Sequence, residues 1–192
     1  MWAIYKKELK SYFLSPIGYV VVGVLLFVCT VFFYLTTISY GSVDLGALYF
    51  YAALYGFMVV IPILTMRMFA EERKNGTEQL ILTSPVSMTG VVFGKFLAAM
   101  SVIFVSLVVS FMYFGIISYF GNPSIKVLLV AMLGFLLISG AAIAFGMFAS
   151  SITENQIIAG VITIVFFILN IEFIVLRNQL NKGFLKIRQI IR

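Results

Sequence analysis

Residues 96–120 read FLAAMSVIFVSLVVSFMYFGIISYF, an apolar stretch of 25 residues without a charged side chain. An α-helix rises about 1.5 Å per residue, so this stretch can cross the ~30 Å hydrocarbon core of a bilayer with room to tilt. In lipid only helices and closed barrels satisfy every backbone group, and the polar/apolar alternation of a barrel is absent. The stretch therefore predicts a transmembrane helix.

Four further apolar runs of 20 to 22 residues lie between the charged clusters of the chain. Each of these runs is also long enough to span the hydrocarbon core as a helix. The sequence predicts an all-α fold, a polytopic transmembrane helical bundle with five spans at residues 17–38, 45–66, 96–120, 127–148 and 157–176.

The composition excludes several classes of protein. The chain is 62% hydrophobic and 10% charged, whereas a soluble domain carries about 25% charged residues. It has no histidine and a single cysteine, Cys29, which excludes a disulfide framework and argues against a His- or Cys-based metal or nucleophile site. The net charge of +6 comes from cations that flank the apolar runs, so we expect contact with membrane lipid and not with nucleic acid.

The distribution of cations predicts the orientation in the membrane. Cytoplasmic loops are enriched in Lys and Arg. With the N-terminus in the cytoplasm, the first four spans leave one cation outside, Lys126, and seven inside: Lys6, Lys7, Lys10, Arg67, Arg73, Lys74 and Lys95.

The first 16 residues have the pattern of an interfacial helix. Trp2, Tyr5, Leu9, Tyr12 and Phe13 recur at spacings of three or four, with the lysines largely opposite, and the helical pattern ends before the proline at position 16. The pattern favours a membrane-surface anchor over direct contact with a partner protein, although the two roles are compatible.

The loop at residues 67–95 is the one connection long enough to hold structure of its own. Residues 71–74 form a mixed charge cluster, and Asn75-Gly76 is a turn or helix-stop signal. Thr77 can begin a short helix that runs to Thr83, before Pro85. The apolar residues 80–82 within it require a partner or the headgroup layer.

Several motifs make a family resemblance specific. Residues 71–80 (EERKNGTEQL), 82–87 (LTSPVS) and Gly94-Lys95 closely resemble the loop between the second and third spans of type-two ATP-binding-cassette (ABC) exporter permeases. Residues 145–156 (FGMFASSITENQ) resemble the end of their fourth span, and residues 5–9 with 15–19 resemble their N-terminal lead-in. The resemblance covers residues 1–167 and is closest to the branch linked with bacterial gliding motility.

The resemblance implies a membrane subunit of an exporter in the bacterial cytoplasmic (inner) membrane. Permeases of this family have six helices each, and two permeases, as a homodimer or heterodimer, form the pathway. A separate ABC ATPase subunit docks on the cytoplasmic face. The implied ATPase-coupling residues are Glu71, Glu72, Arg73, Asn75, Gly76, Thr77 and Glu78.

The chain departs from the family pattern at its C-terminal end, where the usual sixth span is expected to be absent. That departure keeps an alternative open. The chain could be a non-transporting membrane scaffold that recruits an ATPase or an envelope complex.

No catalytic constellation is present, and we expect neither enzymatic activity nor a metal or other cofactor. Residues 90–96 (GVVFGKF) have too few residues between the glycines for a phosphate-binding loop, and Phe96 replaces the required Ser or Thr. ATP is therefore expected to be hydrolysed by the partner.

Two further sets of residues are candidates for a role in the membrane. Asn170 and Glu172 lie in the fifth apolar stretch, where they indicate either a transport pathway or, for Glu172, a position near the outer headgroups. Small residues at spacings of four predict close helix packing, within the chain more often than between subunits. These residues are Gly140, Ala142, Ala144, Gly146 and Ser150.

The C-terminal tail, residues 177–192, brings two rules into conflict. Its five cations favour the cytoplasm, whereas the apolar stretch before it favours a fifth crossing that ends outside. Apolar residues recur every three or four positions from Leu180 to Ile191. We therefore expect an amphipathic helix on the outer leaflet.

Overall fold

The computed structural model describes residues 1–39, 45–76 and 87–190. Within these ranges every regular element is helical. Two segments, Tyr34–Ile38 and Ala52–Gly56, are π-helical. The α-helices are α1 (Trp2–Leu14), α2 (Pro16–Phe33), α3 (Leu45–Tyr51), α4 (Phe57–Thr65), α5 (Ala70–Lys74), α6 (Met88–Ser110), α7 (Met112–Phe120), α8 (Ile125–Ile152) and α9 (Gln156–Ile190).

Five helical runs among the described residues are long and apolar enough to cross a membrane, which confirms the predicted polytopic helical bundle. The third run begins at Met88, whereas the sequence predicted a span starting at Phe96. The hydroxyl of Ser87 accepts a hydrogen bond from the Gly90 amide at 3.3 Å and so caps the start of α6. The five runs are Pro16–Ile38, Leu45–Lys74, Met88–Tyr119, Ile125–Ile152 and Gln156–Phe173.

The second run forms the centre of the bundle. In its most apolar stretch 56% of the residues are buried, against 17% in the fifth run. It packs closely on α8, where a Cβ added at Gly146 would lie 2.9 Å from the Cβ of Thr65. Only glycine therefore allows this approach.

Helix α1 packs along the start of α6. Pro16 is the first residue of α2, and the extended backbone of Ser15 (φ −89°, ψ 155°) separates the two helices. The hydroxyl of Tyr12 is buried and donates a hydrogen bond to the Leu64 carbonyl at 3.2 Å. At Gly94 of α6, an added Cβ would lie 3.1 Å from Ile4, so the two helices are in direct contact. The N-terminal helix is thus part of the bundle's packing.

Helix α9 continues from the fifth span into the C-terminal tail. It has 35 residues, which corresponds to a length of about 52 Å. The backbone has no helix end at Arg177, where the sequence predicted the boundary between span and tail. No proline interrupts the sequence there, so the backbone hydrogen bonds of the helix can continue. The side of the membrane on which the tail lies stays a prediction.

Candidate functional site

The junction between α4 and α5, within the second run, is held by one serine of α8. The Ser150 hydroxyl accepts hydrogen bonds from the amides of Phe69 and Ala70, both at 3.1 Å, and donates to the Met66 carbonyl at 3.3 Å. The amides at a helix start have no partner within the helix, so Ser150 supplies the cap of α5 from a different helix. It was predicted as a small packing residue, and its spacing carries no signal for this role.

Arg73 ties the other side of α5 to the same end of α8. Its Nη1 donates a hydrogen bond to the Ser151 carbonyl at 2.8 Å. Carbonyls in the last turn of a helix are unpaired and carry partial negative charge, so a guanidinium is favourable there. Helix α5 therefore contacts α8 in two ways, through the side chain of Arg73 and through the Ser150 cap.

A buried lysine connects α5 with two more helices. Lys95 of α6 is 2% exposed, and its Nζ lies 2.8 Å from Oε1 of Glu72 and 3.1 Å from Oε1 of Glu8. The Phe69 ring centroid is 5.4 Å from the same nitrogen, within reach of a cation–π contact. We call Glu8, Glu72 and Lys95 the Lys95 cluster; it joins α1, α5 and α6.

The charges of the Lys95 cluster compensate one another. A buried ammonium is stable only with oppositely charged partners, and here two carboxylates that are 14% and 16% exposed supply the compensating charge.

Burial, and secondarily the charge of Glu8, raise the pKa of Tyr12 above its ordinary value. The neutral Tyr12 hydroxyl donates its proton to the hydrogen bond with the Leu64 carbonyl.

The sequence missed this pairing. It assigned Lys95 to the loop at residues 67–95, but Lys95 lies inside α6. A lone cation at the edge of a long apolar run is a signal that could have indicated a buried ion pair. Its partners lie 87 and 23 residues away, and no local pattern connects them.

The remaining described residues predicted for ATPase coupling lie within α5 or directly after it. Glu71 is half-buried, whereas Asn75 and Gly76 are exposed. The predicted helix stop is confirmed, since Gly76 has φ +69° and α5 ends at Lys74. Thr77 and Glu78, the short helix predicted from Thr77 to Thr83 and the apolar residues 80–82 lie outside the described residues.

The small residues of α8 face different neighbours. Gly140 faces Phe96 and Met100 of α6, and Gly146 faces Thr65. Ala142 is buried and Ala144 is exposed. These small residues therefore do not form one interface within the described part of the chain.

Asn170 and Glu172 are both exposed on α9. The Asn170 side-chain amide donates to the Phe166 carbonyl at 2.8 Å, so its polar group is satisfied within its own helix. Asn170 lines a cavity of about 500 Å³ whose other described walls are apolar, and Glu172 is not among the described lining residues. The two polar residues are thus not brought together.

The comparisons with known proteins identify the family. A family model described as "ABC-2 family transporter protein" matches residues 33–191, which include Glu72 and Lys95 but not Glu8. Searches of curated proteins and of solved structures gave no match. Membership in this family implies an ABC ATPase partner, dimeric assembly in general and a role as the membrane component, which is not itself catalytic. The chain belongs to the ABC-2 family of transporter proteins, as a multi-pass membrane subunit.

Proposed function

We propose that this chain is the permease subunit of an ABC exporter in the bacterial cytoplasmic membrane, with its N-terminus in the cytoplasm. ATP hydrolysis by a separate ATPase subunit drives its conformational change. The family match and the excess of cations at one end of the bundle support this assignment. The same excess supports a cytoplasmic position for α1, α5 and residues 77–86.

The Lys95 cluster is the observation that carries the proposal. In this mechanism the ATPase contacts the segment from Glu71 to Glu78, and movement of α5 is transmitted through rigid contacts. The movement of α5 reaches α6 and α1 through the contacts of Glu72 with Lys95 and of Lys95 with Glu8. It reaches α8 through the Ser150 cap. Such a device works if ATP binding favours one arrangement of these helices over another.

Docking is tested by charge reversal at Glu71. Glu71 is half-buried at the start of α5, whereas Glu72 also holds Lys95, so Glu71→Lys perturbs docking with the least effect on the cluster. We expect Glu71→Lys to abolish co-purification of the ATPase. The control is Glu154→Lys, which reverses an exposed carboxylate between α8 and α9 at the same end of the bundle and should retain the partner.

Two results would contradict this assignment. The first is a Glu71→Lys variant that keeps both its ATPase and coupled hydrolysis. The second concerns the unaltered chain: if it binds the ATPase but neither stimulates hydrolysis nor moves a substrate, the scaffold interpretation is correct.

We further propose that the functional unit contains two permease subunits, either two copies of this chain or this chain with a relative. The motifs at residues 71–87 and 145–156 support membership in the branch associated with gliding motility.

Two observations would test these proposals. An adjacent gene for an ATPase without membrane spans would support the exporter assignment. Mass determination of the purified complex would distinguish the homodimer from the heterodimer.

A further inference from the structure

The third span changes its helix geometry at Phe111. Helix α6 ends at Ser110, and α7 begins at Met112. The Phe111 amide donates to the Val108 carbonyl at 3.2 Å, three residues back instead of the four of an α-helix. Residues 107–114 contain neither proline nor glycine, which are common causes of a bend. The change therefore needs another cause.

The side chain of Ser110 supplies that cause. Its hydroxyl donates to the Leu107 carbonyl at 2.7 Å, and the Phe111 amide would bind this same carbonyl in a continuous α-helix. A hydroxyl that competes for a helix carbonyl in this way bends the helix. A short stretch of tighter hydrogen bonding inside a long helix often marks a hinge. The third span thus contains a candidate hinge between α6 and α7.

Few side chains hold α7 to the bundle. Of its described side chains only two are buried, Tyr113 and Ile117, whereas α6 buries 11 of its 23 residues. Residues 121–124, which follow α7, are not helical. Segments that bury little apolar surface open locally more easily than the core does. Helix α7 is therefore the part of the third span that can move most easily.

The last turn of α6 is fixed to the second span. The Tyr49 hydroxyl lies 3.0 Å from the Ser110 hydroxyl, and both residues are buried. Ser110 uses its proton on Leu107, so Tyr49 donates the hydrogen bond. This contact anchors α6 directly before the hinge, and a movement at Phe111 would carry α7 alone.

Beyond the hinge, one tyrosine holds α7 against the first span. The Tyr113 hydroxyl lies 2.6 Å from the Thr30 hydroxyl and 3.2 Å from the Leu26 carbonyl, both on α2. The Thr30 hydroxyl also reaches the Leu26 carbonyl, at 2.8 Å, so α2 stays satisfied when Tyr113 leaves. We call the contact of Tyr113 with Thr30 and Leu26 the Tyr113 latch.

We propose that Phe111 is a hinge and that α7 is a lid, which swings away from α2 when the Tyr113 latch breaks and admits water between the first and third spans. Phe111 lies 16 residues after Lys95, about 24 Å along the span. The lid is thus at the end of the bundle opposite to the Lys95 cluster. Its opening belongs to the outward-facing state of the transporter, a link that rests on the proposed function.

Cys29 makes the opening measurable. It is the single cysteine, directly precedes Thr30 and is 1% exposed. A maleimide reacts with the thiolate, which forms where water reaches the sulfur. The full chain is reconstituted in lipid vesicles and labelled well below its Tm. Tyr113→Phe should raise the labelling rate about threefold, which corresponds to the ~0.6 kcal/mol average for a hydrogen bond between membrane helices.

Tyr5→Phe is the matched control. The Tyr5 hydroxyl lies 3.0 Å from the Ser101 hydroxyl and joins α1 to α6 on the other side of the hinge. Ser101 keeps its own bond to the Leu97 carbonyl, just as Thr30 keeps its bond in Tyr113→Phe. The control therefore loses the same kind of contact and should leave the labelling of Cys29 unchanged.

Two introduced cysteines locate the hinge. In a Cys29→Ser background, Ile117→Cys places the thiol beyond Phe111, and Ile103→Cys places it before Phe111. The two isoleucines are 4% and 0% exposed. Adding Tyr113→Phe should raise the labelling rate of Ile117→Cys by the same factor as that of Cys29, and should leave the rate of Ile103→Cys unchanged.

Three results would overturn the proposal. An unchanged Cys29 rate in Tyr113→Phe would mean that this hydroxyl does not hold α7 closed. Equal acceleration in Tyr5→Phe would mean that labelling follows a general loosening of the bundle. Equal acceleration at Ile103→Cys and Ile117→Cys would mean that the span moves as a whole, without a hinge. The experiment needs no ATPase, so its failure leaves the Glu71 docking test unaffected.

Discussion

Replacing Lys95 with methionine removes the ammonium group that faces Glu8 and Glu72 but keeps a long, unbranched side chain in a position that is 2% exposed. Removal of one partner of a buried ion pair costs about 3–5 kcal/mol, because it leaves the other charge uncompensated. The two carboxylates retain 14% and 16% exposure, so water partly screens them. We therefore expect the lower end of this range, about 3 kcal/mol.

The expected change can be measured by thermal unfolding of the purified full chain. For a protein of this size, 1 kcal/mol moves Tm by about 2–4 °C, so Lys95→Met should lower Tm by about 6–12 °C. Cys29 is the single cysteine and is 1% exposed, so a fluorogenic thiol reagent reports unfolding without a further label. Lys126→Met, at an exposed lysine, is the matched control and should change stability by less than about 0.5 kcal/mol.

A combined variant separates lost charge from lost packing. Adding Glu8→Gln and Glu72→Gln to Lys95→Met removes the uncompensated carboxylates, so part of the lost stability should return. If the combined variant is as unstable as Lys95→Met, the loss comes from packing. If Lys95→Met unfolds at the same temperature as Lys126→Met, the Lys95 cluster contributes nothing to stability and the reasoning is wrong.

Two further predictions concern the contacts of α8. Gly146→Ala should lower Tm, because its Cβ would overlap Thr65, whereas Gly134→Ala has nothing within 4 Å and should be neutral. Equal Tm values for the two variants would contradict the close packing. Ser150→Ala leaves two amides without their cap and should cost about 1–3 kcal/mol, seen as faster amide hydrogen exchange at residues 66–74. Ser151→Ala removes only a bond to its own helix, and equal exchange in these two variants would exclude the cap.

Local features of the sequence determined the class of the fold. Whether a stretch spans a bilayer depends on its own length and apolar content, since no water in the hydrocarbon core can satisfy exposed backbone groups. The five runs could therefore be predicted without knowledge of their neighbours. The stop at Asn75-Gly76 is equally local, because glycine adopts positive φ without strain. The start of α6 at Met88 was missed, although Ser87 is a recognisable cap.

The tertiary structure alone decided which side chains form the candidate site. Lys95 meets Glu8 and Glu72 only because α1 and α5 pack against the same end of α6. Ser150 caps α5 because Gly146, one turn earlier on α8, allows the second span to approach. These contacts join residues up to 87 positions apart, and such pairings depend on how helices pack in three dimensions. A pattern within one helix records which face is apolar, but not which partner that face will meet.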